Sequence, residues 1–112
     1  MEFDYLIKAI NSPKSCKIWK VSNPIISQKN AYKYLGDDAI LYLSNRKDKK
    51  YAIWDENENM MIHFGDLNYK DFTRHRDPVI RQLYLNRACN IKGNWRNNKY
   101  SKNNLSMNIL WN

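Results

Sequence analysis

Shortages define the first reading of this sequence of 112 residues. No long apolar run exists. The longest unbroken one, Ala39 to Leu43, is far below the ~20 residues of a membrane-spanning helix, so no membrane partner is expected. The start, Met1-Glu-Phe-Asp-Tyr5, is acidic and lacks the basic and apolar regions of a signal peptide. Two cysteines, Cys16 and Cys89, are too few for a disulfide framework and suit a reducing, intracellular compartment. Glycine and proline number three each, so collagen-like and linker-rich classes are excluded. Neither a glycine-rich phosphate loop nor a serine elbow occurs, which argues against nucleotide hydrolases and acyl-transfer enzymes.

What is present is aromatic and basic. Aromatic residues make up 13% of the chain, with Tyr 8 and Trp 4, and the formal net charge is +8. Residues 90–112 hold Lys92, Arg96, Lys99 and Lys102 and no acid, so half of the net charge lies in that last fifth. Asparagine occurs 16 times, eight of them after Ala88. Usage rich in Asn and Lys and poor in Gly is what an AT-rich coding sequence produces, so part of this signal is mutational.

The 43% hydrophobic fraction can build one core, and no repeat or flexible spacer divides the chain. Residues 1–112 are therefore read as one small domain. Segment 3–10 fits a short helix or an edge strand, and Ile18 to Val21 a short strand. Asn23-Pro24 has the form of an N-cap followed by proline at the first helical position, and Gly36 stands where a C-terminal cap would fall. A helix over 24–35 follows, with Ile25, Ile26, Ala31 and Leu35 inward. Segments 39–44, 50–55 and 60–64 read as three strands of an antiparallel meander, joined by short polar turns. Gly65 to Arg76 reads as a loop. Asp77-Pro78 opens a second helix, whose expected buried stripe is Val79, Ile80, Leu83, Tyr84 and Ala88. Beyond Gly93 an irregular tail is expected, with the apolar end Leu105 to Trp111 docked on the domain. The fold class is thus α+β: a small antiparallel sheet with two helices packed on it.

The densest chemistry runs from His63 to Arg87. His63, Asp71, His75 and Asp77, with Asp66 nearby, are the residue types of a metal-dependent nuclease, in which carboxylates and imidazoles hold a cation that activates water. Their spacing matches no fixed template, and the bland alternative is a hydrogen-bonded loop pinned to the sheet. Cys16, Cys89, His63 and His75 lack zinc-finger spacing. No cofactor and no metal is therefore expected. Arg87 falls among Ile80, Leu83 and Tyr84 on the helical wheel, so it needs a partner such as Asp66 or Asp71, or else an anion. Asp77 and Arg81 have the spacing of an i,i+4 pair.

Basic and aromatic residues alternate in the tail. Lys92, Arg96, Lys99 and Lys102, with Lys47, Lys49 and Lys50 of the β-turn, could meet phosphates of DNA or RNA while rings stack on bases. Trp19, Trp95, Arg96, Tyr100 and Trp111 could equally anchor protein partners.

Several pieces occur together: Ala31-Tyr32-x-Tyr34-Leu35-Gly36, Arg46-x-x-Lys49-Lys50-Tyr51, Ile62-His63-Phe64-Gly65, Tyr69-x-Asp71-Phe72-Thr73-x-His75-x-Asp77 and Arg81-x-x-Tyr84-Leu85-x-Arg87. With Asn90-Ile-Lys-Gly-Asn-Trp95, Tyr100-Ser-x-Asn-Asn-Leu-Ser106 and Leu110-Trp111, this pattern resembles a family of small proteins encoded by large and giant DNA viruses. The likeness covers residues 31–112. Lys102 departs from it, standing where the family pattern has proline. Residues 1–30 have no counterpart and read as an added segment before a core of 31–90 and a basic aromatic tail of 91–112. The resemblance implies a viral origin but no chemistry. The expectation is a non-enzymatic structural protein, a minor capsid or virion component located in the particle. It would assemble with copies of itself or with other capsid or virion proteins through aromatic anchors and a basic surface. A nucleic-acid-binding module is the alternative, and a metal-dependent nuclease the third reading.

Overall fold

A computed structural model describes residues 13–112. The 3–10 segment lies outside them. The first described element is a helix, α1 (Pro13–Val21), and not the strand expected over Ile18 to Val21. Four residues carry too little periodicity to separate the two. Here the helix begins earlier, at Pro13, buries Ile18 and closes its last turn with Ser22 N–H donating to Ile18 C=O at 2.8 Å.

The next helix, α2 (Pro24–Leu35), has the expected bounds, and the reason is local. Asn23 Oδ1 accepts the free N–H groups of Ile25 and Ile26 at 3.0 and 3.2 Å, Pro24 presets the first turn, and Gly36 leaves the helix at φ 106°. Its buried face is largely polar. Ile25 is exposed, whereas Ser27, Gln28, Asn30 and Ala31 are buried. Gln28 braces the following segment, donating to Ala39 C=O and accepting from Leu41 N–H. Asn30 donates to Ile109 C=O at 2.9 Å. These amides occupy interior positions because each saturates backbone groups that would otherwise be buried unpaired.

The sheet is a three-stranded antiparallel meander, β1 (Tyr42–Leu43), β2 (Lys49–Asp55) and β3 (Met60–Asp66), in the order β1-β2-β3. Tyr51 pairs with Leu43 on one side and Phe64 on the other. Lys50, Tyr51, Ala52 and Ile53 are consecutive and all buried, so both faces of the central strand are covered. Trp54 alone in β2 is exposed. Asp55 Oδ1 accepts the N–H groups of Asn57 and Glu58 and thereby shapes the β2–β3 turn.

Beyond β3 the loop contains one helical turn, α3 (Phe72–His75), capped by Asp71, and then α4 (Pro78–Cys89), capped by Asp77 with Pro78 at its first position. The region after Gly93 is more regular than an irregular tail. It holds a 3-10 turn (Trp95–Asn97), α5 (Lys102–Leu105) and a π turn (Ser106–Leu110). Lys102 stands at the first position of α5, after the N-cap Ser101, where a proline would also fit. Asparagine side chains brace this region: Asn103 donates to Ala88 C=O, Asn104 to Trp95 and Asn98 C=O, and Asn108 to Asn104 C=O. Leu105, Ile109, Leu110 and Trp111 dock as expected, completing a core with Ile18, Ala31, Leu41, Tyr51, Ile53 and Phe64. Residues 13–30 share that core through Ile18 and the buried Ser22, Ser27 and Gln28, so they are built into the same packed body.

Candidate functional site

The buried polar centre comes first, because it removes several residues from the list of candidates. Lys50 Nζ donates to Asp71 Oδ2 at 3.0 Å, with both side chains almost wholly buried. Asp71 Oδ1 accepts Thr73 N–H at 3.0 Å and the Thr73 hydroxyl. Tyr51 OH donates to Ser22 Oγ at 2.8 Å, and Ser22 Oγ lies within hydrogen-bond distance of Thr73 and Ser27. The network ties the α1–α2 junction, β2 and the cap of α3 together. Burial pushes the Lys50 ammonium below its ordinary value, opposed by the Asp71 carboxylate. Burial also pushes the Tyr51 phenol well above its own.

Lys50 therefore cannot reach a phosphate, and the expected Arg87–Asp71 bridge does not form, because Lys50 holds Asp71. Among the described residues no ion pair joins Arg87 to Asp66 either. The nuclease candidates are likewise engaged one by one. His63 Nδ1 sits 2.7 Å from Ser44 Oγ, and burial and nearby cations lower its basicity. Asp66 closes a turn on Asn68 N–H, His75 Nδ1 accepts Asp77 N–H, and Asp77 caps α4. Among the described residues no three His, Cys, Asp or Glu side chains converge as a metal site, and Cys16 and Cys89 are free and exposed.

The expected aromatic anchors are mostly turned inward. Trp111 is 8% exposed and stacks on Tyr84, with ring centroids 4.0 Å apart and planes 7° apart. It is a core residue and not a partner anchor. Trp19 and Tyr100 are half-buried against the core. Trp95 donates its indole N–H to Ile91 C=O, and Arg96 lies over the Trp95 ring while donating to Cys89 C=O. Lys99 lies over the Tyr100 ring. Arg46, Lys47, Lys92, Lys99 and Lys102 remain exposed, and Lys49 is partly so.

The expected buried stripe of α4 is the clearest correction. Val79 is 67% exposed, Leu83 58%, and Ile80 also faces solvent. The inward row is Arg81, Tyr84, Leu85 and Ala88, spaced i, i+3, i+4 and i+7. Arg81 occupies that row because its Nε donates to Trp111 C=O at 2.7 Å and its guanidinium stacks over Phe72. The expected Asp77–Arg81 pair gives way to this contact and to the capping role of Asp77.

Turning α4 this way opens a groove of about 690 Å³ between the helix and the end of the β2–β3 hairpin. Its apolar surface includes Ile80, Ile91, Tyr69 and Tyr84 over the buried Leu110, and its rim carries Lys49, Lys70, Arg87 and Lys102, with Asp66 the one acid lining it among the described residues. At its base Gly65 adopts φ 82°, and a Cβ there would lie 2.8 Å from Leu110 Cδ1, so glycine is needed for the C-terminal turn to close over the strand. Lys70, Ile91 and Tyr69, which line the groove, are not among the candidate site residues that the sequence offers. Their exposure is set by the turn of α4 and by the loop after β3, neither of which leaves a periodic signal.

Residues 39–88 match a family model described as a family of unknown function, DUF5754. The match runs from just before β1 to near the end of α4 and so takes in the sheet, the Lys50–Asp71 pair and one wall of the groove. No curated protein and no solved structure matches the chain.

Proposed function

We propose that this chain is a non-enzymatic docking protein, a structural component of a viral particle that binds an acidic neighbouring protein through the outward face of α4 and the adjoining groove. The observation that carries the reading is the aliphatic row Val79, Ile80 and Leu83, continued by Ile91, which stands in solvent on a well-capped helix beside exposed cations. Such a contiguous exposed patch is typical of an interaction surface. His63, Asp66, Asp71 and Asp77 each bond within the fold, as does His75 through Nδ1, which supports a binding role over a catalytic one. The +8 charge favours an acidic neighbour. The particle context rests on the resemblance to small proteins of large DNA viruses.

The experiment is incorporation. The tagged chain, expressed during infection, is expected to sediment with purified particles at a fixed copy ratio, and Leu83→Asp to be lost from them while remaining folded by circular dichroism. A chain absent from particles, or Leu83→Asp incorporated normally, would overturn the reading. The nucleic-acid reading is weaker because Arg96 and Lys99 already cover the Trp95 and Tyr100 rings on which bases would stack.

A further inference from the structure

The groove admits a more specific statement about its occupant, which rests on the docking reading above. We infer that it takes an acidic segment of the neighbouring protein, seating one large apolar side chain on Ile80 and Ile91 and placing flanking carboxylates on Lys70, Arg87 and Lys102. The volume of about 690 Å³ lies within the ~300–1,000 Å³ of sites that enclose a compact ligand. The charge is one-sided. Lys50 at the base is neutralised by Asp71, whereas Lys70, Arg87 and Lys102 stand at the rim as exposed cations against, among the described residues, the single carboxylate Asp66. Asp66 is itself committed, facing Lys49 across the strands and accepting Asn68 N–H.

An apolar wall under a cationic rim selects a ligand with both characters. Carboxylates alone would leave Ile80 and Ile91 wet, and an apolar segment alone would desolvate three cations without compensation. A protein segment suits the wall better than a nucleic acid strand does. Of the rings lining it, Phe64 and Trp111 are buried and Tyr84 stacks on Trp111, so among the described residues Tyr69 is the one exposed ring a base could use, whereas Ile80 and Ile91 are both open to an apolar side chain.

The test is fluorescence anisotropy of the purified chain with a short fluorescein-labelled peptide of the pattern Glu-Asp-Leu-Phe-Asp-Glu-Leu. Two competitors are included: the same peptide with serine at its apolar positions, and single-stranded oligo-dT. The acidic apolar peptide is expected to bind at least about tenfold more tightly than the serine version, since anchors in a pocket dominate such contacts. Arg87→Glu and Ile80→Asp should each weaken it by about tenfold, while Lys33→Glu, the same charge change at an exposed residue of α2 outside the groove lining, should weaken it less than about twofold. Equal binding of the serine peptide, an equal effect of Lys33→Glu, or displacement by oligo-dT at lower concentration would each overturn the inference. If the peptide fails to bind while Leu83→Asp is still lost from particles, the groove occupant is wrong and the docking reading stands. If Leu83→Asp is incorporated normally, the docking reading itself fails.

Discussion

The two faces of α4 reverse the usual assignment. The inward face carries an arginine, Arg81, beside Tyr84, Leu85 and Ala88, while the outward face carries Val79, Ile80 and Leu83 with Arg87. The inward arginine is accommodated because the Trp111 carbonyl accepts its Nε–H and the Phe72 ring receives its flat face. Among the described residues the outward arginine has no such arrangement, and it is exposed. The difference teaches that waiting backbone acceptors and rings decide which face of a short helix is buried, and hydropathy alone does not.

Perturbations of the inward side should be the most costly. Asp71→Ala leaves the Lys50 ammonium buried and unpaired and is expected to remove about 3–5 kcal/mol of stability, read by urea unfolding. If the loss were under about 1 kcal/mol, Lys50 must escape to water. Trp111→Ala removes the stack on Tyr84 and opens the core, and a loss of similar size, about 3–5 kcal/mol, is expected in the same assay. Arg81→Leu makes the inward row wholly apolar yet should destabilise by roughly 1–2 kcal/mol, because the Trp111 carbonyl loses its donor. A gain in stability on that substitution would restore hydropathy as the deciding factor.

Alkaline pH also acts on the buried side. The Tyr51 phenol is raised by burial, as is that of Tyr84. Below about pH 10 both folded and unfolded chains carry neutral phenols, so nothing is lost. Above it the unfolded chain ionises and the folded one resists, so stability falls as pH rises toward the folded-state values. Tyr51→Phe should flatten that fall between about pH 10 and 11, even though it lowers stability at neutral pH by removing the bond to Ser22. The smallest effect belongs to the outward face: Val79→Ser and Leu83→Ser should change unfolding free energy by no more than about 0.5 kcal/mol.

Much of the fold was legible because its signals are local. Asn23-Pro24 and Asp77-Pro78 cap helices with side chains two or three residues from the groups they satisfy. The strand runs of Ile, Tyr, Trp and Phe are separated by short polar turns, which allow only antiparallel neighbours. What was not legible depends on distant partners. Helix periodicity offers Arg87 either Asp66 or Asp71 as a partner, whereas Lys50, on a strand two elements away, holds Asp71. Arg81 finds its acceptor thirty residues on, at Trp111. Trp111 was named as an external anchor, and only its stack on Tyr84 shows it to be internal. The groove was partly legible through Arg87, correctly placed among apolar residues but on the side that faces solvent.

The seating of Leu110 over Gly65 has a consequence for synthesis. A ribosome releases the chain from Ile18 onward, yet the core is closed by Leu105, Ile109, Leu110 and Trp111, which emerge after the other elements they cover. At about 5–20 residues per second, roughly 2–8 s separate the making of Phe64 from that of Leu105. During that interval the sheet lacks the side chains that cover its apolar face, with the glycine in β3 standing open for a leucine still to be made.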